Sequence, residues 1–223
     1  MRGTLQRNGV AAALCMVALL AMASPASELP SVAPFRGTHR PVPPEMREQM
    51  TGVSWFPDCP IPIEGLALLE LSYWGFDGLP HDGRLVVAAS VATPVLAAFR
   101  ALYDARFPIE RMQTVESFGG DDERSMAANN TSGFNCRRVM GAKRWSRHAY
   151  GTAVDLNPVQ NPYLRGAEVH PPAAARYLTR EDVRPGMIVR NGAAYRAFRD
   201  VGWKWGGLWR GAKDYQHFSA TGR

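Results

Sequence analysis

The chain has 223 residues, which is enough for one well-packed domain and short for two full domains. A hydrophobic fraction of 46% and a charged fraction of 21% argue against a largely disordered chain and against a multi-span membrane protein. The formal net charge of +6 suits an anionic partner, but many proteins without such a partner are equally basic, so charge alone identifies no ligand.

Residues 1–26 have the features of a secretory signal peptide. Arg2 and Arg7 precede an apolar run at residues 10–23, and small residues follow at its end. The run is about 14 residues long and a membrane-spanning helix needs roughly 20, so we expect cleavage and no stable membrane anchor. The mature chain is therefore predicted to be exported, either to a periplasm or to the outside of the cell.

Two cysteines remain after the predicted leader, Cys59 and Cys136. In an oxidising compartment, two thiols are better explained as a disulfide than as a metal pair. Their wide separation in the sequence also excludes a local C-x-x-C motif. We therefore predict a Cys59–Cys136 bridge that ties the N-terminal part of the chain to its middle.

Residues 27–62 form a proline-rich arm, in which one short helix is expected at Pro44–Met50. Two clear patterns follow the arm. Apolar residues alternate at positions 69–73, and Asp-Gly turns lead to a second apolar run at 84–88, which together predict a β-hairpin with half-buried strands. Thr93-Pro94 then begins a predicted helix, because apolar residues recur at helical spacing up to Phe107.

The remaining elements are shorter and less regular, and we assign them with the hairpin and first helix to one domain at residues 63–223. The predictions are a strand at 112–118, a polar loop at 121–145, a strand at 153–156, an irregular stretch at 157–190, a helix at 192–201 and strands at 203–205 and 215–218. Strands and helices do not alternate regularly. This pattern predicts an α+β fold with a small, mainly antiparallel sheet and flanking helices.

Two of the five histidines stand near carboxylates in strongly patterned segments. His148 precedes Asp155 by seven residues, and His217 follows Asp214 by three. Two neutral imidazoles and one carboxylate can hold Zn²⁺ and leave a coordination position open for water. Gly151 and the β-branched residues after it oppose a helix, so His148 is expected before a turn and Asp155 on the following strand.

The segment from Ser146 to Asp155 reads S-x-H-x-x-G-x-A-x-D, and the chain ends with D-x-x-H at 214–217. These motifs resemble those of the M15 zinc metallopeptidases, a group of D-Ala-D-Ala carboxypeptidases and L-Ala-D-Glu endopeptidases. The resemblance covers about residues 66–218 and is closest to the endopeptidase-like branch. It implies a hedgehog/D-Ala-D-Ala peptidase-like fold.

By this resemblance, zinc is held by His148, Asp155 and His217. Asp214 becomes the general base for the attacking water and the general acid for the leaving amine. The alternative role for Asp214 is to orient His217 without contacting the substrate.

The resemblance also implies three residues around the substrate. Arg124 matches an arginine that steadies the scissile carbonyl oxygen as negative charge develops on it. Ser125 is the serine beside that arginine. Ser146 would contact the substrate, with the capping of a turn as its alternative role. Acidic residues at 121–123 replace the usual residues before the arginine, so Arg137 remains the competing candidate.

The expected function is zinc-dependent hydrolysis of a peptide bond in peptidoglycan stem peptides, by a monomer that binds no nucleic acid. Carboxypeptidase and endopeptidase action both remain open. One rival is a catalytically inactive, zinc-containing module that binds the cell wall. A second rival is a structural zinc domain in which His81 or His170 supplies a fourth ligand.

Overall fold

The computed structural model describes residue 3 and residues 33–222. The predicted signal peptide at 1–26 therefore lies outside the described residues, apart from Gly3. Among the described residues, no helix has both the length and the apolar composition needed to cross a bilayer. Residues 33–222 belong to one compact unit, so the described part of the arm packs as part of the domain.

An antiparallel sheet of three strands occupies the first half of the domain. It comprises β1 (Gly37–Pro41), β2 (Leu66–Trp74) and β3 (Pro80–Ala88), with β2 in the middle. The short helix α1 (Pro44–Met50) connects β1 to the region before β2. The predicted β2–β3 hairpin and α1 are confirmed, whereas β1 lies in the proline-rich arm, where no strand was predicted.

Both faces of β2 are covered, which corrects the prediction of a half-buried strand. Leu69 contributes to a core with the helices of the domain, and Leu68 on the opposite face packs in a second cluster with Met50 of the arm. Each buried side chain of this size contributes about 1.5–3 kcal/mol to folding. The period-2 pattern identified the strand, and the packing of the arm on its second face explains why both faces are buried.

Two of the helices pack on each other and on the C-terminal strands. α2 (Ala92–Asp104) confirms the first predicted helix, and the second is found at Ala193–Asp200. The Phe99 and Phe198 rings meet edge to face with centroids 6.0 Å apart, and Phe198 stacks on Phe218 at 4.2 Å. This aromatic stack fixes the last strand of the chain against the core.

The predicted strand at 112–118 is wrong. Only Arg111–Met112 forms a strand, β4, and Val115–Phe118 turns into a 3-10 helix. The Asn130 side chain bonds to both the backbone N–H and the carbonyl of Gln113, each at 2.9 Å. These bonds use the backbone groups that would continue the strand ladder. Within the loop predicted at 121–145, the chain forms α3 (Asp122–Ala127) and β5 (Asn130–Thr131), which pairs parallel to β4.

The last six strands form two further antiparallel sheets. They are β6 (Ala153–Asp155), β7 (Tyr163–Arg165), β8 (Glu168–His170), β9 (Lys204–Trp205), β10 (Lys213–Asp214) and β11 (His217–Ser219), and the helix at Ala193–Asp200 is α4. One sheet has the order β6-β11-β9 and the other β10-β7-β8. The α+β class is confirmed, and the stretch predicted to be irregular contains the β7–β8 hairpin.

The structure contains the Cys59–Cys136 disulfide, and the backbone N–H of Cys136 donates to Ser54 at 2.9 Å. Because the bridge closes a long loop, we expect Cys59→Ser combined with Cys136→Ser to lower the free energy of unfolding by about 2–4 kcal/mol. Urea unfolding of both proteins, with reduced wild type as the matched control, measures this difference. An unchanged unfolding midpoint would contradict the expected stabilisation.

Candidate metal centre and its groove

His148, Asp155 and His217 form a buried cluster, with exposed fractions of 3%, 3% and 5%. His148 Nε2 lies 3.1 Å from Asp155 Oδ2 and 3.2 Å from His217 Nδ1. His217 Nδ1 lies 3.0 Å from Asp155 Oδ1. Three atoms that can bind a metal therefore converge on one point.

Strand pairing brings two of these side chains together. β6 and β11 are antiparallel, and their register sets Asp155 directly opposite His217. On the other side of β6, Asp155 exchanges two backbone hydrogen bonds with Ser132, at 2.9 and 3.0 Å. The carboxylate is thus fixed by neighbours on both sides.

His148 is held by a short 3-10 helix at Arg147–Tyr150. Ser146 caps this helix, because its hydroxyl accepts a bond from the backbone N–H of His148 at 3.3 Å. Gly151 ends it in the left-handed region at φ 66°, where a side chain would also clash with the backbone nitrogen of Ala88. Local backbone geometry therefore explains the serine and the glycine of the S-x-H-x-x-G motif.

The tautomer of the neutral His148 ring is set by a neighbouring carbonyl. Its Nδ1 donates to the Gly133 carbonyl at 2.6 Å, which leaves the lone pair of Nε2 directed at the cluster. The same bond fixes the orientation of the ring. His148 is thus prepared to act as a neutral nitrogen ligand.

The cluster fits one tetrahedral zinc ion. Zinc bonds of about 2.0–2.1 Å to nitrogen and oxygen separate neighbouring ligand atoms by roughly 3.3 Å, close to the spacing of the three donors. His81 contacts Asp77 at 3.0 Å and His170 contacts Glu168 at 3.5 Å, and neither residue lines the groove. Among the described residues, the structural-zinc alternative therefore lacks the fourth ligand suggested for it.

Burial and mutual charge shift the pKa values of the cluster. Burial alone would lower the pKa of His148, but the charge and hydrogen bond of Asp155 outweigh it, so the pKa rises above its usual 6.5. Burial would raise the pKa of Asp155, but both imidazoles outweigh it and hold that pKa well below its usual range. Asp155 is therefore an ionised carboxylate across the physiological pH range.

The cluster opens into a groove of about 900 Å³. Asp214 lines the groove, and burial raises the pKa of its carboxyl to about 7, against the opposing influence of His217. Among the described atoms, Asp214 Oδ1 is buried without a hydrogen-bond partner. The Trp209 ring forms another wall, with its centroid 5.5 Å from that of His217. The groove thus brings a carboxyl with a near-neutral pKa to the cluster of His148, Asp155 and His217.

The structure places the two arginine candidates differently. The side chain of Arg124 is 76% exposed and contacts Asp121 at 3.4 Å, outside the set of residues that line the groove. Arg137 does line the groove, and its Nη2 contacts Asp122 at 2.8 Å. Because Asp121 caps α3, the helix turns Arg124 outward and Asp122 toward Arg137.

The two serine candidates also lie in different places relative to the groove. Ser125 is 1% exposed and accepts a hydrogen bond from the Asn130 amide at 3.0 Å, so it is packed away from the groove. Ser146 lines the groove beside the cluster. No sequence pattern indicates that Asp122 lies in the groove, because its contact with Arg137 is created by the loop between them.

The comparisons with known proteins agree with the site. A family model described as D-alanyl-D-alanine carboxypeptidase matches residues 140–220, the segment that carries His148, Asp155, Asp214 and His217. No curated protein and no solved structure gives a significant match. The match confirms the resemblance noted in the motifs: residues 140–220 are similar to the M15 family of peptidases.

Proposed function

We propose that this peptidase hydrolyses a peptide bond in peptidoglycan stem peptides and depends on a zinc ion held by His148, Asp155 and His217. The observation that carries the proposal is the convergence of three buried donors beside Asp214 in one groove, within the family-matched segment. Carboxypeptidase and endopeptidase action are both compatible with this arrangement.

The zinc ion would act as a Lewis acid, able to lower the pKa of a water from about 15.7 toward about 7. Asp214 would accept a proton from the attacking water and later deliver it to the leaving amine. A carboxyl with a pKa near neutrality suits both transfers, because it gains and loses a proton at similar cost near pH 7.

We assign the stabilisation of the scissile carbonyl oxygen to Arg137 in place of Arg124. Arg137 lines the groove, and its contact with Asp122 restrains the guanidinium without fully burying it, since the side chain is 27% exposed. A fixed cation near the developing negative charge favours the transition state. Ser146 remains a predicted substrate contact, because it lies in the groove beside His148.

The proposed function also implies a compartment and an oligomeric state for the chain. A disulfide and a cell-wall peptidase family both support export, to a periplasm or beyond the cell. We further propose that the mature chain acts as a monomer without a stable membrane anchor or a nucleic-acid partner.

The titration of Asp214 predicts an acidic limit to the activity. As the pH falls through its pKa, the carboxyl gains a proton and can no longer accept one from water, so kcat/KM should fall. A bound cation favours the charged carboxylate, which places the midpoint below about 7. A pH profile of kcat/KM at constant zinc loading measures it. A rate that stays flat down to pH 4 would remove Asp214 from this role.

Release of new amino groups from purified peptidoglycan tests the proposed function. We expect release by the zinc-loaded mature chain, its loss after chelation, and its return when zinc is added. Binding to peptidoglycan without release, by a chain carrying one zinc ion, would instead identify the inactive wall-binding module. Release that persists after complete metal removal would contradict the zinc requirement.

A further inference from the structure

Arg180 reaches inward from a loop whose neighbouring side chains are exposed. Its guanidinium donates four hydrogen bonds that join three parts of the chain. The acceptors are the carbonyls of Gln160 at 2.7 Å, Tyr177 at 3.2 Å and Ile188 at 2.6 Å, and the side-chain oxygen of Asn161 at 2.9 Å. Arg180 therefore ties its own loop to residues 160–161.

The same guanidinium lies over the ring of Tyr215, with the central carbon 4.5 Å from the ring centroid. Within residues 33–222, no carboxylate forms an ion pair with Arg180. Carbonyl oxygens and the face of the ring therefore surround the cation. A planar fork can bond to several oxygens and stack on a ring at once, which the compact ammonium group of lysine cannot do.

Tyr215 and residues 160–162 border Asp214 on two sides. The backbone N–H of Tyr215 donates to the Pro162 carbonyl at 3.1 Å, and the Trp205 indole donates to the Tyr215 carbonyl at 2.8 Å. Asp214 of β10 directly precedes Tyr215 in the sequence, and it lies opposite Tyr163 of β7, which directly follows Pro162. The contacts of Arg180 thus hold the two segments that set the position of Asp214.

We propose that Arg180 is a positioning residue that clamps Tyr215 to residues 160–162 and thereby fixes the carboxylate of Asp214 in the groove. The inference rests on the proposed function, in which Asp214 transfers the proton. His148, Asp155 and His217 are held by β6, β11 and a separate 3-10 helix. Loss of the clamp should therefore disturb the base while the metal-binding residues stay in place.

The first test compares Arg180→Met and Arg180→Lys in the zinc-loaded mature chain. Both should lower kcat by about 10- to 100-fold, because small misplacements of a reacting group are costly, with little change in KM and unchanged zinc content. Arg184→Met is the matched control. The Arg184 guanidinium belongs to the same loop, and its central carbon lies 4.1 Å from the centroid of the Tyr177 ring. Its removal should leave kcat within twofold of wild type.

The second test does not depend on turnover. Hydrogen exchange of the Tyr215 amide should accelerate at least about tenfold in Arg180→Met, because its bond to Pro162 loses the clamp. The Asp155 amide, which bonds to Ser132, should keep its wild-type rate. If Arg180→Met does not fold, the milder variant Arg180→Lys is measured in its place. It should show the same selective change.

Full activity in Arg180→Lys would overturn the proposal, because the clamp requires the arginine fork. Equal acceleration of the Tyr215 and Asp155 amides would also overturn it, since this indicates general loss of stability. Absence of hydrolysis in zinc-loaded wild type would reject the proposed function alone, and a selective change at Tyr215 would still establish the clamp.

Discussion

Asp214→Asn is expected to lower kcat by about 10²- to 10⁴-fold while the chain still binds one zinc ion. The substitution keeps the size and position of the side chain but removes its capacity to accept and return a proton. The carboxyl is buried in the groove, and burial raises its pKa to about 7. We therefore expect the loss of turnover to come from this one group and not from the change in net charge. Steady-state kinetics on a peptide substrate and zinc analysis of the same preparation measure both quantities.

The matched control for this prediction is Asp200→Asn, which neutralises an exposed carboxylate at the end of α4 that pairs with Arg199. Its kcat should remain that of wild type. If Asp214→Asn retained wild-type turnover, Asp214 would be limited to the alternative role of orienting His217. If it lost zinc together with activity, the proposed division between base and ligands would be wrong.

His148→Ala and His217→Ala should each abolish tight zinc binding and reduce hydrolysis to background. Removal of either leaves two donors, and the loss of affinity should exceed the roughly 10- to 100-fold expected when only an orienting neighbour is lost. The buried Asp155 would also lose a partner that holds its pKa low. Calorimetric titration of the metal-free variants with zinc gives the change in affinity.

His39→Ala serves as the control for the two ligand variants, because the His39 side chain is exposed, bonds to Thr93 and does not line the groove. Its zinc affinity and turnover should match wild type. Unchanged zinc stoichiometry and affinity in His148→Ala or His217→Ala would overturn the ligand assignment.

Part of the geometry of the three proposed ligands was predictable because short-range contacts constrain it. Ser146 caps the turn, Gly151 permits the left-handed backbone, and β-branched residues favour the strand that carries Asp155. The pairing of Asp155 with His217 spans 62 residues and came from the family resemblance. The sequence alone indicated only that sparse histidines near carboxylates could form a site.

The proposed substrate-contacting arginine was harder to predict, because the positions of the two candidates depend on the direction of a short helix. Arg124 and Asp122 lie on different sides of α3, and only the folded loop brings Asp122 to Arg137. Likewise, the prolonged strand predicted after Arg111 is interrupted by the Asn130 side chain, a contact between distant residues. Such tertiary contacts override local propensity.

Cleavage of one defined muropeptide, followed by mass spectrometry, is the most direct test that the chain is a peptidase in which Asp214 transfers the proton. Wild type and Asp214→Asn are compared at equal zinc content. We expect one defined peptide-bond cleavage by wild type, with the product mass identifying the bond, and intact substrate with the variant. Equal cleavage by both proteins, or no cleavage by zinc-loaded wild type, would contradict it.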